Sequence, residues 1–239
     1  MKYAPPPILS PDPLSPFPAI PAGNPESSEG AMIAMGGDLD PRRLLNAYRH
    51  GIFPWYGPGS PIIWWSPHPR CILPVAAFKA HRRLRRQMRH PDLSLSTDRA
   101  FTAVVAACAA PRRAGDESWI IPEIAYAYRR LHEAGYAHSI EVWSADELIG
   151  GLYGVLLGRL FFAESMFTRA GGGSKIALYA LLKIMAELGA PFIDCQLPNP
   201  HLFRLGALLL PRDVFLAYGR ELTAAQPRRP WPTRLPRLG

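Results

Sequence analysis

The stretch Phe161-Phe162-Ala163-Glu164-Ser165-Met166-Phe167 runs through the glycine-rich turn Arg169-Ala170-Gly171-Gly172-Gly173-Ser174-Lys175 and an apolar helix into Phe192-Ile193-Asp194-Cys195-Gln196. Each flanking segment reads as a buried strand, yet each carries one carboxylate where an apolar side chain is expected. Burying a carboxylate costs several kcal/mol unless it is paired or hydrogen-bonded, so Glu164 and Asp194 mark a candidate active centre. Read alone, the same two residues also fit a structural pair satisfied by backbone groups or an arginine. Ser174 is expected to cap the helix, and Gly189 to stop it after Leu188.

Upstream, Ser139–Trp143, Glu147–Leu157 and Arg159–Phe167 are strand-like, with Ser144-Ala145-Asp146 and Gly158 as turns. They predict an antiparallel meander. Before it, Pro122 opens a helix that runs through Ile124, Tyr128 and Leu131 to Gly135, and another covers roughly Asp98 to Ala109. From Ala77 to His90 an apolar stripe of Ala77, Ala80, Leu84 and Met88 opposes Lys79, Arg82, Arg83, Arg86 and Arg89. Gly51 to Arg70 is an aromatic, proline-rich loop region with one short strand. Asp40 and Pro41 begin a short helix that ends at Gly51. Helices, a meander, then a helix and strand give a mixed α+β class.

The 239 residues suffice for a large core. Hydrophobic residues make up 48% and charged residues 19%, which excludes general disorder. The 27 prolines crowd into both ends, so residues 1–30 read as an extended or disordered leader and 226–239 as a basic Pro-rich tail. A formal charge of +8 points to a polyanionic partner such as nucleic acid. Cys71, Cys108 and Cys195 show no CxxC spacing, so neither a disulfide frame nor a zinc site is implied. No apolar run approaches ~20 residues, and no signal-peptide core is present, so the expectation is a soluble, cytoplasmic protein with no membrane partner.

Gly36-Gly37-Asp38-Leu39, Gly51-Ile52-Phe53-Pro54-Trp55, Trp64-Trp65-Ser66-Pro67, Pro69-Arg70, Trp119-Ile120, Ala137 to Trp143, Gly150-Gly151-Leu152-Tyr153-Gly154, Glu164-Ser165-Met166-Phe167 and Asp194-Cys195-Gln196 occur in this order. Together they resemble the leucyl/phenylalanyl-tRNA–protein transferase family over roughly Ala31 to Leu216. The resemblance implies transfer of Leu or Phe, and as a further donor Met, from aminoacyl-tRNA to the N-terminal Arg or Lys of acceptor proteins, which marks them for degradation. It implies a small N-terminal α/β domain, residues 31–70, followed by a GNAT-like, acetyltransferase-type mixed-sheet domain, residues 71–225. It further implies a monomer without cofactor or metal and without a covalent enzyme intermediate.

By the same resemblance, Asp194, Gln196 and Glu164 are the catalytic positions, with Glu164 holding substrate amino groups. Two residues apart on a strand, Asp194 and Gln196 are expected to face one side as a hydrogen-bonded pair, with Cys195 turned away. Leu152, Met166, Leu178, Leu181, Met185 and Ile193 fall at the aminoacyl side-chain pocket. Taken alone they are ordinary core. Trp55 and Trp119 fall where the family grips the tRNA 3'-adenosine, and Trp64 and Trp65 are left as packing. Lys79, Arg82, Arg83 and Arg86 match the region that touches the acceptor stem, although a charge run also fits a solvated helix face. Tyr48, Tyr128 and Asn199 fall at further substrate contacts.

The turn at Gly171–Gly173 is richer in glycine than the family pattern. It keeps an acetyl-CoA enzyme as the alternative, because GNAT enzymes hold the coenzyme pyrophosphate at this junction. Pro198, Pro200, Arg204 and Asp213 also depart from the pattern. A non-catalytic RNA-binding module would explain the charge but not the buried carboxylates. A Cys195–His201 hydrolase lacks an oxyanion motif.

Overall fold

Short apolar segments in the first third build a small sheet around the aromatic strand Ile63–Trp65. A computed structural model describes residues 6–20, 32–111 and 118–235. Ala31, part of the leader and the end of the tail including Arg237 lie outside the described residues. Within the leader, β1 (Ile8–Leu9) pairs in parallel with β2 (Met32–Gly36), and Phe17 packs edge-on against Trp64. The described leader segment is thus fastened to the fold and not a free extension. Helix α1 (Pro41–Arg49) starts where expected, with the Asp40 side chain accepting from the Arg42 backbone N–H. Strands β3 (Phe53–Pro54) and β4 (Ile63–Trp65) give the aromatic loop two strands instead of one and complete the sheet in the order β1-β2-β4-β3.

The second sheet begins with β5 (Arg70–Pro74), followed by α2 (Arg82–Met88), β6 (Leu93–Thr97), α3 (Phe101–Ala109) and α4 (Pro122–Glu133). Helix α2 is shorter than the apolar stripe suggested. His81 caps it by accepting from the Leu84 N–H, which places Ala77, Lys79 and Ala80 ahead of the helix. The meander is present as β7 (Ala137–Ser144), β8 (Glu147–Leu157) and β9 (Leu160–Thr168), joined antiparallel. Next come α5 (Gly173–Leu188), β10 (Phe192–Gln196), α6 (Pro200–Arg204), β11 (Leu208–Leu210) and α7 (Arg212–Ala224). The seven-stranded order is β11-β5-β10-β9-β8-β7-β6, and β10 runs parallel to β9. The protein is therefore mixed α+β, with a small N-terminal sheet and a larger mixed sheet flanked by helices.

Ser174 does not cap α5. Gly172, with φ of 70°, is the N-cap, and Ser174 lies inside the helix, where Thr168 Oγ1 accepts from its N–H. The glycines here are set by packing: a Cβ on Gly150 would stand 2.5 Å from the Gly173 Cα, so α5 meets β8 backbone to backbone. Two apolar layers cover the large sheet. Helix α5 buries Ile176, Leu181 and Met185 on one face, while α1, α3, α4 and α7 bury Tyr48, Val104, Tyr128 and Phe215 on the other. Each such side chain contributes about 1.5–3 kcal/mol by leaving water. Among the described residues no helix is long and apolar enough to cross a membrane.

Candidate active site

Both strand carboxylates sit at β-bulges, which explains how they escape the apolar pattern of their strands. In β9, Tyr153 of β8 pairs with Ser165 while the next residue, Gly154, pairs with Ala163, leaving Glu164 as the extra residue. In β10, Ile72 of β5 pairs with Asp194 while Cys71 pairs with Gln196, leaving Cys195 extra. A bulge bends the strand and re-aims side chains. Gln196 takes φ of 58°, a left-handed conformation that is rare and strained for a residue with a side chain.

Glu164 gathers three donors from three elements. Tyr48 of α1 donates to Oε1 at 2.8 Å, Tyr128 of α4 donates to Oε2 at 2.8 Å, and the Gln196 side-chain Nε2 donates to Oε1 at 2.7 Å. The two tyrosine hydroxyls also meet each other at 2.5 Å. Burial pushes the Glu164 carboxyl up to about 7, and the hydroxyl bonds from Tyr128 and Tyr48 hold it from rising further. Burial likewise pushes both tyrosine hydroxyls well above their ordinary range.

Asp194 is fully buried and gripped by Arg70, whose Nε and Nη2 donate to its two oxygens at 2.8 and 2.6 Å. The remaining guanidinium nitrogen, Nη1, donates to the Gly51 carbonyl at 3.0 Å, and the guanidinium lies over the rings of Phe53 and Phe215. This two-pronged geometry is the strong form of an ion pair. The expected side-chain pair of Asp194 and Gln196 is not what forms. The bond runs from the Gln196 backbone N–H to Asp194 Oδ1 at 2.9 Å, which holds the strained turn and frees the Gln196 amide for Glu164. The extra residue of the bulge makes the simple two-residue alternation fail. Arg70 escaped the sequence reading because its partner lies 124 positions away; the one local signal was a charged residue opening the apolar run Arg70-Cys71-Ile72-Leu73.

Tyr153 of β8 was also passed over. Its ring is buried against Phe101 and Tyr128, and its hydroxyl has no hydrogen-bond partner among the described residues.

The other candidates separate into those the fold assembles and those it does not. Trp55 and Trp119 line one cavity of about 330 Å³ with Tyr56, Ile63 and Trp65. Trp55 is 42% exposed, whereas Trp64 is fully buried core. Trp65, expected only to pack, lines this cavity and donates its indole N–H to the Trp55 carbonyl at 2.6 Å. Leu152, Leu178, Leu181, Met185 and Ile193 lie in the core between α5 and the sheet. Met166 lines a cavity of about 440 Å³, together with Cys108, Phe167, Thr168, Ser174 and His201. Lys79, Arg82, Arg83 and Arg86 are exposed, while Leu84 and Met88 on the opposite side of α2 are buried. Asn199 caps α6, its Oδ1 accepting from the Leu202 N–H at 2.9 Å.

An α+β protein with a half-buried carboxyl held by two tyrosines, and with an open tryptophan-lined cavity, is the class this architecture defines. A family model described as leucyl/phenylalanyl-tRNA protein transferase matches residues 72–220, and one described as the N-terminal domain of that protein matches residues 37–68. Relatives named leucyl/phenylalanyl-tRNA–protein transferase include one from Xanthomonas campestris pv. campestris (strain B100), 49% identical over 95% of this chain and 91% of its own length. Another, from Chromobacterium violaceum, is 46% identical over 94% of this chain and 95% of its own length. A third, from Nitratidesulfovibrio vulgaris (strain DP4), is 46% identical over 95% and 96%. The chain belongs to the leucyl/phenylalanyl-tRNA–protein transferase family. A solved structure of a functionally unknown conserved protein from Staphylococcus epidermidis superposes with a TM-score of only 0.36 and 11% identity, over 75% of this chain and 68% of that one.

Proposed function

We propose that this protein is a leucyltransferase that moves Leu or Phe from its charged tRNA to the N-terminal Arg or Lys of an acceptor protein. The observation that carries the reading is the Glu164 carboxyl, collected by Tyr48, Tyr128 and Gln196 beside two strand bulges. Such an acceptor suits an ammonium group, and both substrates of the reaction bring one.

The donor ester is already activated. Catalysis therefore needs the acceptor amine unprotonated, the two groups aligned and the tetrahedral oxyanion stabilised. Gln196 is the group placed to align the amine. Asp194 acts through it as a positioning residue, since its oxygens are held by Arg70 and by the Gln196 backbone. The amine attacks the ester carbonyl directly, the ribose oxygen leaves, and no enzyme-bound intermediate is formed. Trp55 and Trp119 take the terminal adenosine in the cavity they share, each stacked base adding about 1–3 kcal/mol. Met166, at the edge of the apolar layer that includes Leu152, Leu178, Leu181, Met185 and Ile193, marks where the donor side chain enters. The exposed cations of and before α2 meet tRNA phosphates. A monomer working in the cytoplasm fits this reading.

The parallel pair β9 and β10, registered at Phe162 and Asp194 with a glycine turn opening α5 between them, supports an acetyltransferase-like arrangement of the large sheet. The glycine turn is explained by the close approach of Gly173 to Gly150 without a coenzyme.

The test is transfer of radiolabelled leucine from charged tRNA to a protein beginning with Arg, beside the same protein beginning with Ala, with labelled acetyl-CoA as a parallel donor. Label on the Arg protein from tRNA alone is expected. Label from acetyl-CoA alone would overturn the reading.

A further inference from the structure

Tyr48, Tyr128 and Glu164 close a ring of three hydrogen-bonding contacts among four oxygens, and the number of protons in it is fixed by elementary valence. The three sides are Tyr48 to Glu164 Oε1 at 2.8 Å, Tyr128 to Glu164 Oε2 at 2.8 Å, and hydroxyl to hydroxyl at 2.5 Å. Each hydroxyl owns one proton. If both protons point at an ionised Glu164, the two tyrosine oxygens face each other at bonding distance with nothing between them. One more proton on the carboxyl removes the conflict. Glu164 Oε2–H donates to Tyr128, Tyr128 donates to Tyr48, and Tyr48 donates to Glu164 Oε1, which also accepts from Gln196 Nε2 at 2.7 Å.

We propose that Glu164 in the free protein is the protonated member of this closed ring, and that seating the α-ammonium of the donor amino acid expels one proton to solvent. The proposal rests on the transferase reading, in which Glu164 receives an ammonium. The balance is simple. A carboxylic acid and an ammonium become a carboxylate–ammonium pair plus one released proton, and only an O–H bond breaks. Both hydroxyls then turn their protons to the carboxylate, where charge-assisted bonds are about twice as strong as neutral ones, and the two tyrosine oxygens, no longer sharing a proton, move apart.

The surroundings agree. Tyr48 reaches Glu164 from α1, Tyr128 from α4 and Gln196 from β10, so its donors are hydroxyls and an amide and none is a cation. Tyr153 of β8 and Asp194 of β10 are the other titratable groups acting on it. The Arg70 charge on β5 is matched by Asp194, to which it is bound through both oxygens. Burial in this company pushes the Glu164 carboxyl up to about 7, in the direction the proton count requires.

The experiment is calorimetric titration of the full-length protein with a non-hydrolysable amide of leucine on the 3' position of adenosine, at about pH 6 in buffers of different ionisation enthalpy. About one proton released per ligand is expected, and binding should weaken about tenfold for each pH unit below the midpoint of the ring. The Glu164→Gln variant should release none, and neither should wild type with the analogue that lacks the α-amino group. Binding of the amino analogue without proton release would overturn the proposal. If neither analogue binds, the donor-site reading itself fails, and an infrared titration of the protein alone still judges the ring. A protonated-carboxyl band present at about pH 6 and lost in Glu164→Gln supports it, while its absence in wild type overturns it. In Tyr128→Phe the midpoint of that band should move to higher pH, because a donor to the ionised form is gone. An unmoved midpoint would sink the ring.

Discussion

At the residue scale, Arg70 decides whether the centre can exist. Its side chain is wholly buried and every bonding nitrogen has a partner: two on Asp194 and one on the Gly51 carbonyl. Arg70→Ala leaves a buried carboxylate without its cation, and the expected cost is about 3–5 kcal/mol in denaturant unfolding. Replacing both partners, Arg70→Met with Asp194→Leu, should recover most of that stability but not transfer activity, since nothing then holds the Gln196 backbone. Recovery of activity with stability would make the pair purely structural. Gln196 itself is strained at φ of 58°. Gln196→Ala and Gln196→Gly should both lose transfer, yet the glycine variant should be more stable than the alanine variant by about 1 kcal/mol. Equal stabilities would mean that the left-handed turn stores no strain. The two carboxylates were visible in the sequence as charges inside apolar runs. Their opposite fates were not, because a pairing across 124 positions leaves no periodic trace.

At the scale of elements, the long periodic segments were legible and the short ones were not. Helices α1, α4 and α5 and the strands β7, β8 and β9 carry caps, turns or alternation strong enough to read. Strands β5, β6 and β11 have only five, five and three residues, and β6 alternates Leu93, Leu95 and Thr97 with two serines, a pattern easily absorbed into a loop. The bulges were invisible, because an extra residue changes register without changing composition, and they broke the expected pairing of Asp194 with Gln196. Two glycines in separate motifs turn out to touch. Gly150→Ala places a Cβ 2.5 Å from the Gly173 Cα, and with backbone on both sides the clash should cost about 1–3 kcal/mol of stability by thermal or chemical unfolding. A neutral substitution would show that α5 is free to lift from β8. On α2 the buried Leu84 and Met88 fix which side faces out. Replacing Arg82, Arg83 and Arg86 by Ala should weaken tRNA binding and lower the steepness of its salt dependence by about one counterion per lost phosphate contact. An unchanged salt slope would return that side of the helix to plain solvent exposure.

At the scale of the whole molecule, function and stability meet in the proton on Glu164. Its carboxyl lies at about 7 in the fold against 4.5 for the free group, with burial as the first cause. Between those values the native state holds a proton that the unfolded chain has already released. The contribution to stability is therefore complete below about 4.5 and is lost as pH rises through about 7. A shift of this size corresponds to about 3 kcal/mol. The wild-type protein should accordingly lose about that much, between pH 4 and pH 8, relative to Glu164→Gln, which cannot titrate at this position. The measurement is the difference in unfolding free energy between the two proteins at each pH, so other ionisations common to both cancel. Parallel curves would show that Glu164 titrates in the fold as it does in the unfolded chain and that its tyrosines merely solvate it. A gap that opens between about pH 4.5 and 7 and then levels off would show the protein tolerating an unstable ionised centre above neutrality, a strain that an incoming ammonium relieves. The same buried geometry that weakens the fold at high pH then favours the substrate that neutralises it, which ties the cost of the site to its selectivity for a free amino group.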